Sequence, residues 1–249
     1  VIFSVHNYFP VPDILLPSQG SGDAFLMTSL EESERRAAVD YTGRSLRIAG
    51  ELGARFLVVH LGEVECGSMG RELVRIYRET GRSEAFLRAR RSLVEERQKK
   101  RQAHLDRLYA SLETILKTAE ELGLVVCVEN RFYPHQIPSF DEAGLILNRF
   151  EGGPIRYWHD VGHGMVQEHL GLTPHLDWLN RYGMNLAGIH LHDAVGIRDH
   201  LAPGRGEISF EEYRPFLNER TAKIVEVHPF VETDDLRSGI DQLRRDLGI

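Results

Sequence analysis

Six short apolar segments, rich in valine and isoleucine, each end at or beside a residue that can bind a metal ion. They are VIFSVH ending at His6, FLVVH at His60, VVCVE at Glu129, IRYWHD at Asp160, AGIH at His190 and KIVEV around Glu226. Segments this short, separated by longer helix-like stretches, are typical of strands in a parallel sheet that is covered on both faces. In a parallel barrel the carboxyl ends of all strands open at one mouth. The pattern therefore predicts a metal centre there.

The predicted fold is a single α/β domain spanning residues 1–249, a (β/α)8 TIM barrel. A closed barrel of this kind has eight strands, whereas the sequence shows six. We expect the first two βα units to be missing from this chain, so that the visible strands are the third to the eighth. An open six-stranded α/β sheet is the structural alternative.

The composition narrows the classes of partner. The net charge is −7, which gives no general attraction for nucleic acid or an anionic membrane. The two cysteines, Cys66 and Cys127, are too few for a disulfide framework, and no apolar stretch approaches the roughly 20 residues of a membrane span. We expect a cytoplasmic protein that acts on a small molecule, without a nucleic-acid or membrane partner.

One connection is much longer than the others, a charged insertion at about residues 67–122 with RARRSLVEERQKKRQ near its middle. Its charges alternate at helical spacing, which indicates a solvated helical hairpin. The later helix is expected to pack on the barrel through Leu105, Leu108, Leu112, Ile115 and Leu116. The alternatives are a lid over the mouth, a phosphate-binding basic segment or a homodimer contact.

Two carboxylates end buried strands, Glu129 in VVCVE and Glu226 in IVEVHP. A carboxylate in that position must be paired or bound to a cation. For Glu129 the alternative partner is Arg131, which we disfavour because neighbouring strand residues point to opposite faces. Both acids are therefore candidate metal ligands.

Several histidines lie close to these strand ends. The sequence D-V-G-H brings Asp160 and His163 to one turn, and His190 and His192 share a face at the strand period of two, so that either is a candidate ligand. His200 lies in the glycine-containing loop RDHLAPGRGEI. Four histidines without nearby partners are expected at the surface: His104, His135, His169 and His175.

Taken in order, the motifs V-H-L-G, V-E-N-R, H-D-V-G-H, I-H-L-H-D, D-H-L-A-P-G-R-G-E-I and V-E-V-H-P resemble the xylose isomerase-like barrel superfamily. That superfamily contains sugar and sugar-phosphate isomerases and epimerases, together with the endonuclease IV type of apurinic-site nuclease (AP endonuclease family 2). The resemblance runs from His6 to the final helix. It implies one divalent ion held by Glu129, Asp160, His190 and Glu226, with the two glutamates also acting as catalytic proton carriers.

The nuclease branch of the superfamily implies further ions. A second ion would be held by His6, His60 and Glu129. A third would use His163 and His200 with an aspartate where this chain has Arg198, and Asp199 offers only a shifted substitute. We therefore expect His200 to bind substrate rather than a third ion. The same two roles, third-ion ligand or substrate contact, are open for His163, His192 and Arg198.

Imidazole-rich ligand sets favour zinc or manganese, with iron and cobalt also accepted and magnesium less suited. The residues and the resemblance together predict a metal-dependent sugar or sugar-phosphate isomerase or epimerase. The alternative is a phosphodiester or phosphate-ester hydrolase with several metals. A third reading is a non-catalytic sugar-binding barrel.

Overall fold

The computed structural model describes residues 2–248, and its centre is one curled sheet of six parallel strands. The ten strands in this described part are β1 Ser4–His6, β2 Phe56–Val59, β3 Gly62–Glu63, β4 Val125–Glu129, β5 Gln136–Ile137, β6 Ile155–Asp160, β7 Leu186–Leu191, β8 Asp193–Val195, β9 Arg198–Leu201 and β10 Ala222–Val225. The parallel sheet has the order β1-β2-β4-β6-β7-β10, so its neighbours follow the chain. Within residues 2–248, β1 and β10 each pair on one side only. The predicted α/β barrel architecture is confirmed. The part of the chain that the structure describes forms a half-barrel of six parallel strands.

Helices cover the outside of this sheet. They are α1 Glu32–Glu51, α2 Met69–Thr80, α3 Glu84–Leu122, α4 Phe140–Arg149, α5 Val161–His169, α6 Asp177–Tyr182 and α7 Thr233–Leu247. α4 begins with a capping box in which Ser139 and Glu142 satisfy each other's backbone N–H groups. Within residues 2–248, no helix combines the length and the apolar character that a membrane crossing requires.

The long insertion is the predicted helical hairpin, formed by α2 and α3. The five predicted aliphatic residues of α3, from Leu105 to Leu116, are all buried. At 39 residues, α3 is about 58 Å long at 1.5 Å per residue. Two hydrogen bonds join its amino-terminal half to loops elsewhere in the chain. Arg90 donates to the carbonyl of Gly171, and Lys100 donates to the carbonyl of Glu65.

The surface assignment of four histidines is wrong for two of them. His104 and His135 are buried, the former between the Thr28 carbonyl and the Glu65 N–H, the latter with Nε2 3.1 Å from Glu63 Oε2. The inserted hairpin and the small antiparallel pair β3–β5 cover these two rings. His169 and His175 are partly buried, and each contacts a glutamate.

The inner face of the half-barrel has its own apolar cluster, centred on Trp158. A Cβ atom on Gly188 would lie 2.2 Å from Cζ3 of this indole, so the neighbouring strand must carry a glycine there. The Trp158 ring also packs edge-on against His190, with centroids 5.2 Å apart. The tryptophan is therefore the apolar floor beneath the strand ends.

A buried ion pair joins the hairpin to the barrel, and we predict that breaking it is costly. Arg97 of α3 contacts Glu142 of α4 through two hydrogen bonds of 2.7 and 2.6 Å. Arg97→Met should destabilise the protein by about 3–5 kcal/mol, since it leaves a buried carboxylate unpaired. Urea denaturation measures the change, and Arg97→Met with Glu142→Gln should restore part of it. Arg88→Met, on the exposed side of α3, is the control and should change little.

The same pair makes the effect depend on pH. Burial alone would raise the pKa of Glu142, but the Arg97 hydrogen bonds outweigh it and hold the pKa below its usual 4.5. A depressed carboxyl pKa contributes stability above the unfolded-state pKa and loses it as the pH falls. The difference between wild type and Arg97→Met should therefore shrink below about pH 4.5. A difference that is constant with pH would contradict this account.

Candidate metal centre

All six predicted strand-end residues lie at the same mouth of the half-barrel. They end or directly follow β1, β2, β4, β6 and β10, while His190 lies one residue before the end of β7. β6 and β7 are parallel, and beyond a register shift at Tyr157 and Trp158 they place Asp160 beside His190. A cavity of about 550 Å³ opens there, and its lining includes His6, His60, Glu129 and Glu226.

Three carboxylates surround one imidazole at the bottom of the mouth. His190 Nδ1 lies 2.7 Å from Glu129 Oε1, 2.9 Å from Glu226 Oε2 and 3.7 Å from Asp160 Oδ2. One ligand atom from each of the four side chains lies within 4.8 Å of the others. Carboxylates this close, two of them buried, repel one another unless a proton or a cation lies between them. The donor set of three carboxylates and one imidazole fits a divalent ion.

A second group shares Glu129 with the first. Glu129 Oε1 faces His190, whereas its Oε2 lies 3.0 Å from His60 Nε2 and 3.4 Å from His6 Nε2. The Nδ1 atoms of both histidines face oxygen acceptors, the backbone carbonyl of Asn7 for His6 and the carboxylate of Asp23 for His60. Each Nδ1 must therefore carry the proton in the neutral ring, which leaves a lone pair on Nε2 facing the carboxylate. That arrangement needs either a second proton on the ring or a metal ion.

The protonation states agree with this geometry. Burial lowers the pKa of His190, but Glu129, Asp160 and Glu226 outweigh it and raise the pKa well above 6.5. Burial likewise opposes protonation of His6, yet Glu129 raises its pKa. Conversely, burial would raise the pKa of Glu129, and His190 and the other histidines hold it well below 4.5. The carboxylates that raise the pKa of these imidazoles would equally favour a metal cation beside them.

The structure distinguishes His190 from His192. His192 Nε2 lies 3.0 Å from both oxygens of Asp160, while its Nδ1 accepts the backbone N–H of His200. The proton is therefore on Nε2, and His192 orients the carboxylate of Asp160. His190 alone of the two faces Glu129 and Glu226.

The late loop contributes a third group, made by His163, Asp199 and His200, whose ligand atoms lie within 4.8 Å of one another. His200 has a positive φ of 53°, which breaks the strand alternation. As a result Arg198, Asp199 and His200 all line the cavity. Asp199, the shifted substitute, reaches the group with Oδ2 3.8 Å from His163 Nε2.

The sequence-based prediction missed one charged residue, Asp23, and misjudged one pairing. Asp23, in the loop after β1, accepts hydrogen bonds from His60 Nδ1, Arg131 and Gln136. Gly22 permits this approach, since a Cβ there would lie 2.6 Å from His60 Nδ1. Arg131 Nη1 lies 3.7 Å from Glu129 Oε2, so the expectation that the two residues point apart is wrong. Residues two apart in an extended segment share a face.

The chain belongs to the xylose isomerase-like TIM barrel family, whose sequence model matches residues 3–246. No curated protein matches the chain in sequence. The resemblance drawn from the ordered motifs is confirmed at the level of the family.

Solved structures share the fold at low sequence identity. A D-tagatose 3-epimerase-like protein superimposes with a TM-score of 0.67 at 19% identity, covering 100% of this chain and 78% of that one. The 3-keto-D-glucoside 4-epimerase YcjR from E. coli gives 0.62 at 16% identity, covering 89% and 75%. The IOLI protein with a bound zinc atom gives 0.63 at 12% identity, covering 90% and 74%.

We predict that metal uptake at this centre releases protons. The raised pKa keeps His190 protonated at neutral pH in the metal-free protein, and a ligand nitrogen must lose its proton. Calorimetric titration with Mn²⁺ in two buffers of different ionisation enthalpy should show release of about one proton or more per ion, with affinity rising with pH. His175→Ala, away from the centre, should behave like wild type. Uptake without proton release would contradict the protonation scheme.

Proposed function

We propose that this protein is a divalent-metal-dependent sugar or sugar-phosphate isomerase or epimerase. The observation that carries the proposal is the convergence of Glu129, Asp160, His190 and Glu226 within 4.8 Å at the mouth of the barrel. The low-identity structural neighbours named as sugar epimerases support the same reaction class. Zinc or manganese suits the mixed imidazole and carboxylate donors.

The residues of the chain suit proton transfer at carbon. A bound ion would polarise the carbonyl and hydroxyl oxygens of a chelated sugar and acidify the carbon between them. Glu129 and Glu226 both approach His190 Nδ1, so two carboxylates are available to remove and return that proton. The Glu226 side chain is 40% exposed and that of Glu129 only 1%, so Glu226 is the one that can exchange protons with solvent.

The rim of the cavity supplies groups for substrate hydroxyls. His163, Arg198 and His200 line it from α5 and β9. Burial lowers the pKa of His163, which favours a neutral ring that can accept a hydrogen bond from a hydroxyl. We assign these three residues to substrate binding.

A metal-dependent phosphate-ester hydrolase is the second candidate function. The observation that favours it is Glu129, which presents one oxygen to each of two ligand groups, as a carboxylate bridging two ions would. The isomerase and the hydrolase differ in the substrates that they would convert. A non-catalytic sugar-binding barrel would bind a sugar without converting it.

The activity prediction uses metal add-back to dialysed protein. We expect turnover of a ketose or aldose, free or phosphorylated, and none of abasic-site DNA. Glu129→Gln and Glu226→Gln should each lower kcat by about 100- to 10,000-fold, because each removes a proton carrier. Glu63→Gln, a nearby carboxylate paired with His135, is the control and should retain activity. Hydrolysis of abasic-site DNA would establish the second candidate, and sugar binding without turnover on any substrate would leave the binding barrel.

A separate prediction concerns the number of ions. If Glu129 bridges two ions, plasma mass spectrometry should find two per chain in wild type. Replacing both His6 and His60 by alanine should reduce this to one, because the remaining four-ligand group is intact. One ion in both proteins would assign His6 and His60 to substrate binding instead.

A further inference from the structure

Arg131 is a buried cation with unused hydrogen-bond donors. Its residue is 2% exposed, and within residues 2–248 neither Nε nor Nη1 has a hydrogen-bond partner. Only Nη2 is satisfied, by both oxygens of Asp23. A guanidinium has five N–H bonds, so three remain unused. Buried donors are nearly always paired, which makes this residue an exception that needs an explanation.

The neighbouring carboxylate does not supply the missing partner. Glu129 Oε2 is 3.7 Å from Nη1, beyond hydrogen-bonding distance, and is already contacted by His60 and His6. Asp23 accepts hydrogen bonds from both Arg131 Nη2 and His60 Nδ1, which fixes the position of the guanidinium. Arg131 lines the cavity of the metal centre, so a molecule bound in the cavity lies beside this guanidinium.

The charges around the cavity allow an anion there once an ion is bound. Three arginines line it, Arg131 together with Arg78 from α2 and Arg198 from β9. Four carboxylates line it as well: Asp23, Glu129, Asp199 and Glu226. Asp160, the remaining carboxylate of the four-ligand group, makes the formal sum −2, and one divalent ion brings it to zero. A bound ion therefore removes the net repulsion of an anion from the cavity, although the whole chain has a net charge of −7.

We propose that the substrate carries an anionic oxygen group, a carboxylate or a phosphate, and that Arg131 binds it. The proposal rests on the proposed function and narrows its substrate to acidic sugars. Glu129, one of the four residues that would hold the ion, has its Oε2 atom only 3.7 Å from Arg131 Nη1. The anionic group is therefore close to the oxygens that chelate the ion. That spacing favours the carboxylate of a sugar acid over a terminal phosphate.

Three inert polyols test this without turnover: sorbitol, gluconate and sorbitol 6-phosphate. They share a six-carbon chain and differ in charge. We expect gluconate to bind the Mn²⁺-loaded protein about 10- to 100-fold more tightly than sorbitol, as charge-assisted hydrogen bonds predict. Tighter binding of sorbitol 6-phosphate than of gluconate would identify the phosphate as the anionic group instead. Calorimetry measures all three affinities.

Variants assign the preference to Arg131. Arg131→Gln should reduce the preference for the anion to about twofold or less, while sorbitol affinity and metal stoichiometry are unchanged. Arg131→Lys keeps a cation beside Asp23 and replaces the glutamine variant in this test if that variant does not fold. It should lose most of the preference for the anion, because lysine lacks the planar donors of a guanidinium. Arg205→Gln removes one exposed charge outside this cavity and is the control.

The outcomes separate this proposal from the proposed function. Equal affinity for all three polyols, no binding of any, or a preference that survives both Arg131 variants overturns the anion site. Turnover of neutral sugars alongside equal affinities would leave the isomerase function standing without it. An Arg131-dependent preference in a protein that turns over no sugar would support the anion site and remove the isomerase function.

Discussion

The carboxylate of Glu129 is the interaction on which the mouth of this barrel depends. It is buried at the end of β4, and its two oxygens serve different neighbours, His190 on one side and the pair His6 and His60 on the other. A buried carboxylate without positive charge nearby is very costly, so β1, β2 and β7 must each place an imidazole against it. The cost of burying one charge therefore determines the side chains at three other strand ends.

A second layer of contacts holds these ligand candidates in place. Asp23 binds His60, His192 binds both oxygens of Asp160, and Asn130 accepts the backbone N–H of Asp160. Such outer partners fix ring orientation and tautomer before any ion binds. The hairpin supports the same region from outside through the Arg97–Glu142 pair, and α2 contributes Arg78 to the cavity. The insertion is thus both a solvated helical pair and part of the wall of the site.

The distribution of charge connects the metal centre with the substrate. Carboxylates concentrated at one mouth suit a divalent ion, and arginines on the same wall suit an anion beside it. A cavity built in this way can bind an ion and an acidic polyol together, each reducing the repulsion that the other would meet. The acidic outer surface does not prevent this, because charges separated by more than about 10 Å are screened at ordinary ionic strength.

The sequence by itself determined which residues meet at the mouth, because parallel strands in chain order place all their carboxyl ends on one side. The strand-end positions of His6, His60, Glu129, Asp160, His190 and Glu226 were therefore readable from local pattern alone. Only the tertiary structure decided which of His190 and His192 faces the carboxylates, since both have the same strand periodicity. It also decided the contacts of Asp23 and Arg131 and the burial of His104 and His135, because loops and the hairpin bring together residues with no shared sequence pattern. Local periodicity specifies the face of a strand, whereas the neighbour across that face depends on how distant segments pack.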